Sequence, residues 1–297
     1  MTSVEFYQNL INGISLGSLY ALIAIGYTMV YGILRFINFA HGDIFMMGAY
    51  FAYYAITLLT LPWWLAYPIA IVTTVFLGIG VEKVAYKPLR KAPRISALIS
   101  AIGVSFLLEN FGIVVFGGRP KAFPRPDILK KIFVIKGVWI TGITFFIPII
   151  TIISLILLLL IVYKTKTGLA MRALASDMET SSLMGINIDR TISFTFATGS
   201  ALAAIGGIMW SLKYPMIQPL MGIIPGLKAF IAAILGGIGS IPGAMIGGFC
   251  LGILEIMLIA FMPSLTGYRD AFALFILIVI LLIKPTGIMG KNLEQKV

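Results

Sequence analysis

The chain has 297 residues, of which 60% are hydrophobic and 11% are charged. Soluble domains are usually about 45–50% apolar and about 25% charged, so this composition excludes an ordinary soluble protein. Lysine and arginine exceed aspartate and glutamate by 22 to 11, which gives a formal net charge of +11. The basic residues are scattered between apolar runs, as in loops that contact lipid headgroups, so we expect membrane lipid and no nucleic acid as a partner.

Apolar runs that could cross a hydrocarbon core of about 30 Å as helices recur along the chain. Lipid cannot satisfy free backbone donors or acceptors, so the sequence predicts an all-α polytopic membrane protein. Because the seventh segment is short and glycine-rich, we expect eight full crossings plus one re-entrant or broken segment, about 8–9 transmembrane helices in all. The expected segments are 10–31, 36–60, 62–84, 95–116, 143–163, 192–213, 226–240, 242–262 and 268–284.

Cysteine and histidine usage limits the chemistry of the chain. Its one cysteine, Cys250, and one histidine, His41, indicate neither an intrachain disulfide nor a metal site. A single histidine beside Asp43 is also too little to indicate a Ser-His-Asp arrangement. We therefore expect no catalytic residues and no enzyme activity in this chain.

A polar cluster separates the first two segments, in "RFINFAHGD" from Arg35 to Asp43. Hydropathy places it near the inner surface, where Arg35 would contact headgroups and Asn38 and Asp43 would cap the next helix. Alternatively, Asn38, His41 and Asp43 line a pathway or gate, and a third possibility is a proton relay through His41. The sequence leaves these alternatives open.

The chain resembles itself at an offset of 180 residues, when 21–52 is aligned with 201–232. Asn38 then meets Gln218, the other carboxamide, in "YPMIQPLMG". With the N-terminus outside, the two copies run in opposite directions, so the pattern predicts an inverted internal repeat around a central pathway. The identical positions in the first copy are Ala21, Leu22, Ala24, Ile25, Gly26, Met29, Ile37, Gly42, Ile44, Ala49 and Ala52.

Basic residues predict the orientation of the segments. The stretch "KPLRKAPR" at 87–94 and the basic C-terminal end, with Lys284, Lys291 and Lys296, favour an outside N-terminus. The loop 117–142 is then extracytoplasmic and 164–191 is cytoplasmic. Two carboxylates, Glu109 and Glu255, fall inside predicted segments, where each either lines a pathway or is a paired structural group.

The segment "KTKTGLAMRALASDMETSSLMGINIDRTI" at 164–192 is too polar to span a membrane. Its middle predicts one short helix that ends at Gly185, with Leu169, Ala173 and Met184 on an apolar stripe. It could lie on the headgroups as an amphipathic helix. A docking surface for a partner protein explains its mixed charge better, because Asp177 and other acidic residues would not favour an anionic leaflet.

A glycine-rich stretch follows near residue 236. It predicts a helix break with Gly236, Gly237, Gly239, Pro242 and Gly243, whose freed backbone groups face a cavity rather than lipid. No G-x-x-x-x-G-K-[ST] motif occurs in the sequence, so we expect no cofactor in this chain and ATP to be bound, if at all, by another chain.

The order Gly168, Arg172, Ala173, Asp177, Gly185 and Ile186 in one polar loop resembles the coupling segment of ABC importer permeases. The stretches "YTMVYGILRFINFAHGDIFMMGAY", "ISALISAIGVSFLLEN" and "GLKAFIAAILGGIGSIPGAMIGG" resemble the branched-chain amino acid ABC transporter permease family, and within it the Liv-H type membrane subunit. The resemblance covers nearly the whole chain. The basic loop 117–142 departs most from the family pattern.

The resemblance implies a single transmembrane permease domain, 1–297, of a multi-pass protein in a prokaryotic cytoplasmic membrane. It also implies import of branched-chain amino acids by alternating access. The implied partners are a second related permease subunit, two cytoplasmic ATPase subunits that use the ATP, an external solute-binding protein and a small-molecule substrate. The six residues of the coupling order would contact the ATPases. An ABC permease for urea, an amide or another small polar solute is the alternative, and an autonomous secondary transporter is a further one.

Overall fold

The computed structural model describes residues 2–90, 92–284 and 286–290. Lys91, Lys291 and Lys296, which entered the orientation prediction, lie outside the described residues. The helices are α1 (Ser3–Leu34), α2 (His41–Thr57), α3 (Trp63–Val81), α4 (Arg94–Phe116), α5 (Asp127–Lys130), α6 (Gly142–Lys164), α7 (Lys166–Ser176), α8 (Met178–Leu183), α9 (Ile188–Lys213), α10 (Ile223–Gly236), α11 (Ile241–Phe261) and α12 (Arg269–Ile283).

Several short elements complete the chain. A π-helix (Glu82–Tyr86) and a 3-10 helix (Lys87–Leu89) extend α3, and a second 3-10 helix (Pro263–Tyr268) precedes α12. Two small antiparallel pairs join β1 (Lys121–Ala122) to β4 (Met216–Ile217), and β2 (Ile132–Ile135) to β3 (Val138–Thr141).

Within the described residues, seven helical stretches are long and apolar enough to cross a membrane: α1, α3 with its extension, α4, α6, α9, α11, and α12 with the 3-10 helix before it. The polytopic helical class is therefore confirmed. α10 is a shorter apolar helix, and α2 is not among the seven.

The expected second crossing at 36–60 is the largest difference from the sequence-based prediction. The helix begins only at His41 and has 17 residues, about 26 Å of length. A Cβ at Gly26 would lie 2.6 Å from the His41 ring, so α2 begins beside Gly26 and not at the end of α1. Eight residues of α1, about 12 Å, separate Gly26 from Leu34. The chain therefore leaves α1, turns back into the bundle and only then resumes a helix.

α1 forms the centre of the bundle. From Gly13 to Val30 it is apolar on all sides and almost wholly buried, as expected for a helix surrounded by other helices. Small residues let α11 approach it closely: a Cβ at Gly17 would lie 2.8 Å from Phe249 Cα, and one at Gly13 would lie 3.0 Å from Ile253 Cα. Backbones this close gain packing that larger side chains would prevent.

The bundle has two distinct ends. At the end that carries 165–187, Arg35 Nη2 donates a hydrogen bond to Ala175 O at 2.8 Å. At the end that carries 117–141, Lys213 Nζ donates to Ser15 Oγ at 2.8 Å. α1 therefore runs from the 117–141 end towards the 165–187 end, and α9 runs antiparallel to it.

α2 and α10 begin face to face inside the bundle. A Cβ at Gly42 would lie 2.6 Å from Gly222 O, and one at Gly222 would overlap Gly42 O. The surrounding helices pack in matching pairs. The packing of α1 on α11 is matched by that of α9 on α3, and the packing of α1 on α10 by that of α9 on α2. In the same way, α2 packs on α3 and α10 packs on α11.

Candidate functional site

The segment 165–187 folds as two helices rather than the single expected helix. Asp177 separates them: its backbone N–H donates to Ala173 O at 3.0 Å, and its Oδ1 accepts from Thr180 N at 3.1 Å. The same residue thus ends α7 and caps α8. The prediction of one continuous helix was wrong because this cap starts a new helix in a different direction.

α7 lies against the bundle through Met171 and Leu174, which are buried. Gly168 is also buried, and a Cβ there would overlap the carbonyl oxygens of Ile161 and Val162. Arg172 donates a hydrogen bond to Val162 O, and its guanidinium lies 5.2 Å from the Tyr163 ring centroid. These contacts fix α7 at the end of α6.

Two of the three residues of the expected apolar stripe, Leu169 and Met184, are exposed, and the third, Ala173, is partly buried. The neighbouring Leu183 is 88% exposed. Gly185 has φ 82°, a left-handed conformation that favours glycine, and no atom among the described residues lies within 4 Å of a Cβ built there. Ile186 is partly buried. The segment therefore presents apolar side chains and a tight turn to the outside.

The polar cluster after α1 lies inside the protein, not near its surface. Asn38, His41 and Asp43 are each 1–2% exposed. The α2 N-terminus has no side-chain cap among the described residues, so the predicted capping by Asn38 and Asp43 was wrong. Instead, Tyr86 Oη donates to Asn38 Oδ1 at 2.6 Å, and the His41 ring packs 4.5 Å from that of Tyr27. Arg35 binds α7, as described above.

Asp43 and Glu109 belong to one acidic strip between α2 and α4. Ser105 Oγ donates a hydrogen bond to Asp43 Oδ2, and Glu109 lies one turn further along α4. Glu109 interacts electrostatically with Asp43 and is only half-buried. Ser105 was missed by sequence reasoning, since an isolated serine in an apolar helix is common.

Gln218 lies apart from Asn38, its partner in the sequence alignment. It is exposed in the turn between β4 and α10, where its carbonyl oxygen accepts from Met221 N at 3.0 Å. Asn38 is buried and borders a cavity of about 10 Å³, which is room for one water molecule. The two amides are therefore not brought together.

Glu255 is paired. Its Oε1 lies 2.8 Å from Lys228 Nζ and accepts from Arg269 Nε, and its Oε2 accepts from Tyr20 Oη at 3.0 Å. Lys228 also lies 2.6 Å from Asp270. Lys228 falls inside the expected segment 226–240, and in the structure it sits within α10 and is 4% exposed. Its position inside the apolar run "GLKAFIAAIL" was the one indication of a buried partner.

The glycine-rich stretch lies between α10 and α11. Gly236 ends α10, Gly237 and Gly239 have φ of 106° and 93°, and Ser240 Oγ accepts from Gly243 N at 3.2 Å as the cap of α11. Pro242 takes the second helical position. The last carbonyls of α10, at Leu235 and Gly236, accept from Ile288 and Met289 at 2.9 Å each. Chain after α12, rather than a cavity, satisfies these groups.

A larger cavity of about 310 Å³ lies between α11 and α12. Glu255 and Arg269 border it, and its other lining residues are apolar. Asn38, His41, Asp43, Glu109 and Gln218 do not border this cavity, whereas Glu255 does.

Comparisons with known proteins agree with this architecture. The family model described as branched-chain amino acid transport system / permease component matches residues 9–281. The permease protein LivH of Escherichia coli K12 is 42% identical over 98% of both chains. The permease protein BraD of Pseudomonas aeruginosa is 43% identical over 99% of this chain and 98% of its own. Both are named as high-affinity branched-chain amino acid transport system permeases.

Similarity extends to two more distant proteins. The ribose import permease protein RbsC of Haemophilus influenzae is 26% identical over 86% of this chain and 79% of its own. A chain of PsaBC from Streptococcus pneumoniae, solved with a Fab, covers 95% of this chain and 92% of its own with a TM-score of 0.50 and 13% identity, which shows the fold alone. On the strength of the family model and the full-length relatives, the chain belongs to the branched-chain amino acid transport system permease family.

Proposed function

We propose that the chain is the permease subunit of an ATP-driven importer that moves branched-chain amino acids across the prokaryotic cytoplasmic membrane. The observation that carries this proposal is 42–43% identity to two such permeases over 98–99% of the chain. Seven apolar helical stretches fit a multi-pass subunit in that membrane. ATP is then bound and hydrolysed by partner chains.

The segment 164–191 is the ATPase-coupling loop in this proposal, on the cytoplasmic side. Its exposed Leu183 and Met184 supply apolar contacts for an ATPase groove, and the positive φ of Gly185 sets their presentation. α7 passes displacements on to the bundle through its buried face. Two ATPase subunits, a second related permease and an external solute-binding protein complete the assembly, the binding protein docking at the opposite end, where 117–142 forms the extracytoplasmic loop.

The bundle is an inverted repeat of α1–α4 and α9–α12 in this proposal. Antiparallel α1 and α9 support it, as do the matching helix pairs and the contact of Gly42 with Gly222, which are mates at the 180-residue offset. Two residues that are related by a two-fold axis contact each other only where both lie beside that axis. The axis therefore passes between these glycines. Nine helical passes follow if the short α2 and α10 are counted.

Transport proceeds by alternating access in this scheme. ATP binding closes the ATPase dimer, the coupling loop moves, and the helices around the Gly42–Gly222 crossing rearrange. Asn38, His41 and Asp43 at the start of α2, with Glu109 beside them and Gln218 before α10, lie along the path that opens. Glu255 is a structural group, because its partners occupy both of its oxygens.

The test is uptake by the reconstituted complex with a panel of labelled solutes. ATP-dependent uptake of leucine, isoleucine and valine above that of urea or amides supports the proposal. An Asp177→Lys, Gly185→Trp double variant should hydrolyse ATP without transport. Normal uptake by that variant overturns the coupling assignment, and uptake driven by a proton gradient without ATP identifies a secondary transporter instead.

A further inference from the structure

We propose that Tyr86 is a positioning residue that transmits movement of the coupling loop to the start of α2. The inference rests on the proposed function, and it names the contact through which the loop acts on the pathway. Three attachments carry it: a π-helical turn that holds Tyr86, a buried hydrogen bond from Tyr86 to Asn38, and a charged cluster that ties the π-helix to the start of α9.

The π-helix Glu82–Tyr86 marks an irregular joint in α3. Lys87 N donates to Glu82 O five residues earlier, so this turn contains one residue more than an α-helical turn. Such turns are rare and occur often at functional sites. Return of this turn to α-helix would shift one hydrogen bond. Such a shift would rotate Tyr86 and translate it relative to α3, which makes this turn the two-state element of the proposal.

Tyr86 connects the π-helix to the loop before α2. It is 2% exposed, its Oη donates to Asn38 Oδ1 at 2.6 Å, and its ring lies 5.1 Å from that of Phe36 and 5.4 Å from that of Phe196. Asn38 O in turn accepts from His41 N at 3.1 Å, which fixes the first turn of α2. A displacement of Tyr86 therefore moves the residues that begin α2.

The other side of the joint is tied to α9, which follows the coupling loop directly. Glu82 is fully buried, pairs with Arg90 and accepts from Ser193 Oγ at 2.7 Å. Asp189 lies one turn before Ser193 on α9 and forms an ion pair with Arg90. Its Oδ2 also lies 2.6 Å from Lys87 Nζ. A rigid shift of the α9 N-terminus thus pulls on both ends of the π-helix.

One more contact, in addition to these three, connects the coupling loop to the loop 35–40. Arg35, in a left-handed conformation at the end of α1, donates to Ala175 O in the last turn of α7. The loop 35–40 is therefore held by α7 at one end and by Tyr86 near the other. Movement of the coupling loop reaches Asn38 from both sides, through short contacts between buried or half-buried groups.

The side-chain nitrogen of Asn38 is consistent with hydrogen bonds of this amide that change during transport. This nitrogen, Nδ2, is buried and has no hydrogen-bond partner among the described residues. The cavity of about 10 Å³ that Asn38 borders has room for one water molecule that accepts from Nδ2 in this conformation. A protein acceptor would replace that water in the other state of the cycle.

Tyr86→Phe tests the proposal by removing only the hydroxyl. The matched control is Tyr67→Phe on the same helix, because the Tyr67 hydroxyl is buried and has no partner in the described part of the chain. Both variants are reconstituted in the full complex, and solute transported per ATP hydrolysed is measured. We expect this ratio to fall about fivefold in Tyr86→Phe, the effect of one hydrogen bond, and to stay at the parental value in Tyr67→Phe.

A double variant separates transmission from a structural effect. If the bond to Asn38 is responsible, Tyr86→Phe with Asn38→Val should lower the ratio no further than Asn38→Val alone. A parental ratio in Tyr86→Phe, or additive losses in the double variant, overturns the inference. Either result leaves the proposed function intact, since that depends on uptake by the parental complex and on the coupling-loop variant.

Discussion

Lys228 on α10 and Glu255 on α11 form a buried ion pair, with 2.8 Å between Nζ and Oε1. Tyr20 from α1 and Arg269 and Asp270 at the start of α12 surround them, so four helices meet at this cluster. A lone charge inside a membrane protein is costly, and here each charge has a partner of opposite sign. α12 packs little against the rest of the described bundle, so the cluster is its main polar attachment.

Replacement of Glu255 by leucine should destabilise the protein strongly. The variant leaves Lys228 and Arg269 without their shared carboxylate, and loss of one partner from a buried pair costs about 3–5 kcal/mol. Thermal unfolding of the purified protein in nanodiscs measures the effect. Lys228→Met is the comparison: Glu255 keeps Arg269 and Tyr20, so the melting temperature should fall less. Equal losses for the two variants would contradict the assignment of Glu255 as the centre of the cluster.

The α1–α11 contact should not tolerate a side chain at Gly252. A Cβ there would overlap Gly17 N and Cα, which belong to backbone and cannot move aside cheaply. Gly252→Val should therefore cost about 1–3 kcal/mol or more, seen as a lower melting temperature or loss of assembly. Gly80→Val is the control, because nothing in the described structure lies within 4 Å of a Cβ at Gly80. A control that unfolds as readily as Gly252→Val would count against close packing as the cause.

Composition and apolar length were sufficient to predict the helical polytopic class, because lipid leaves few alternatives for the backbone. They could not predict where α2 begins. Phe36, Ile37 and Phe39 are apolar although they lie outside any helix, so a hydropathy window merges them with the helix that follows. The turn back into the bundle depends on the left-handed Arg35 and on Tyr86, which is 48 residues away from Asn38.

The charged groups show the same limit. Lys228 falls inside the expected apolar segment 226–240, but the sequence does not show which residue pairs with it. Its partner Glu255 is 27 residues further on and becomes its neighbour only through the break between α10 and α11. Asp177 was within reach of sequence reasoning, since Asp-x-x-Thr at 177–180 is a capping pattern, but the continuous helix prediction passed over it.

Leu183 should matter for assembly and not for the stability of this chain. Its side chain is 88% exposed, so Leu183→Ser should change the free energy of unfolding by less than about 0.5 kcal/mol. Burial of a leucine in an ATPase groove is worth about 1.5–3 kcal/mol, which predicts at least tenfold weaker binding of the ATPase subunits. Affinity is measured by titrating ATPase against the reconstituted permease.

The matched control for this prediction is Leu58→Ser. Leu58 is also strongly exposed, but it follows α2 at the end of the bundle that carries 117–141. ATPase affinity should be unchanged in this variant. Equal weakening by the two substitutions would mean that the exposed end of α8 is not the ATPase contact.

Thiol accessibility should separate the transport path from the lipid surface. Cys250 is the only cysteine, so a Cys250→Ser background carries single cysteines placed elsewhere. Glu109→Cys and Gln218→Cys should react with a charged, membrane-impermeant methanethiosulfonate, because only a thiol that reaches water ionises and meets the reagent. Ile153→Cys on α6 should not react, since this exposed residue lies among other exposed apolar side chains.

Labelling of Glu109→Cys should also change between ATP-bound and nucleotide-free complexes if the strip beside Asp43 opens during the cycle. Constant labelling of Glu109→Cys in both states, at the level of Ile153→Cys, would place Glu109 outside the path.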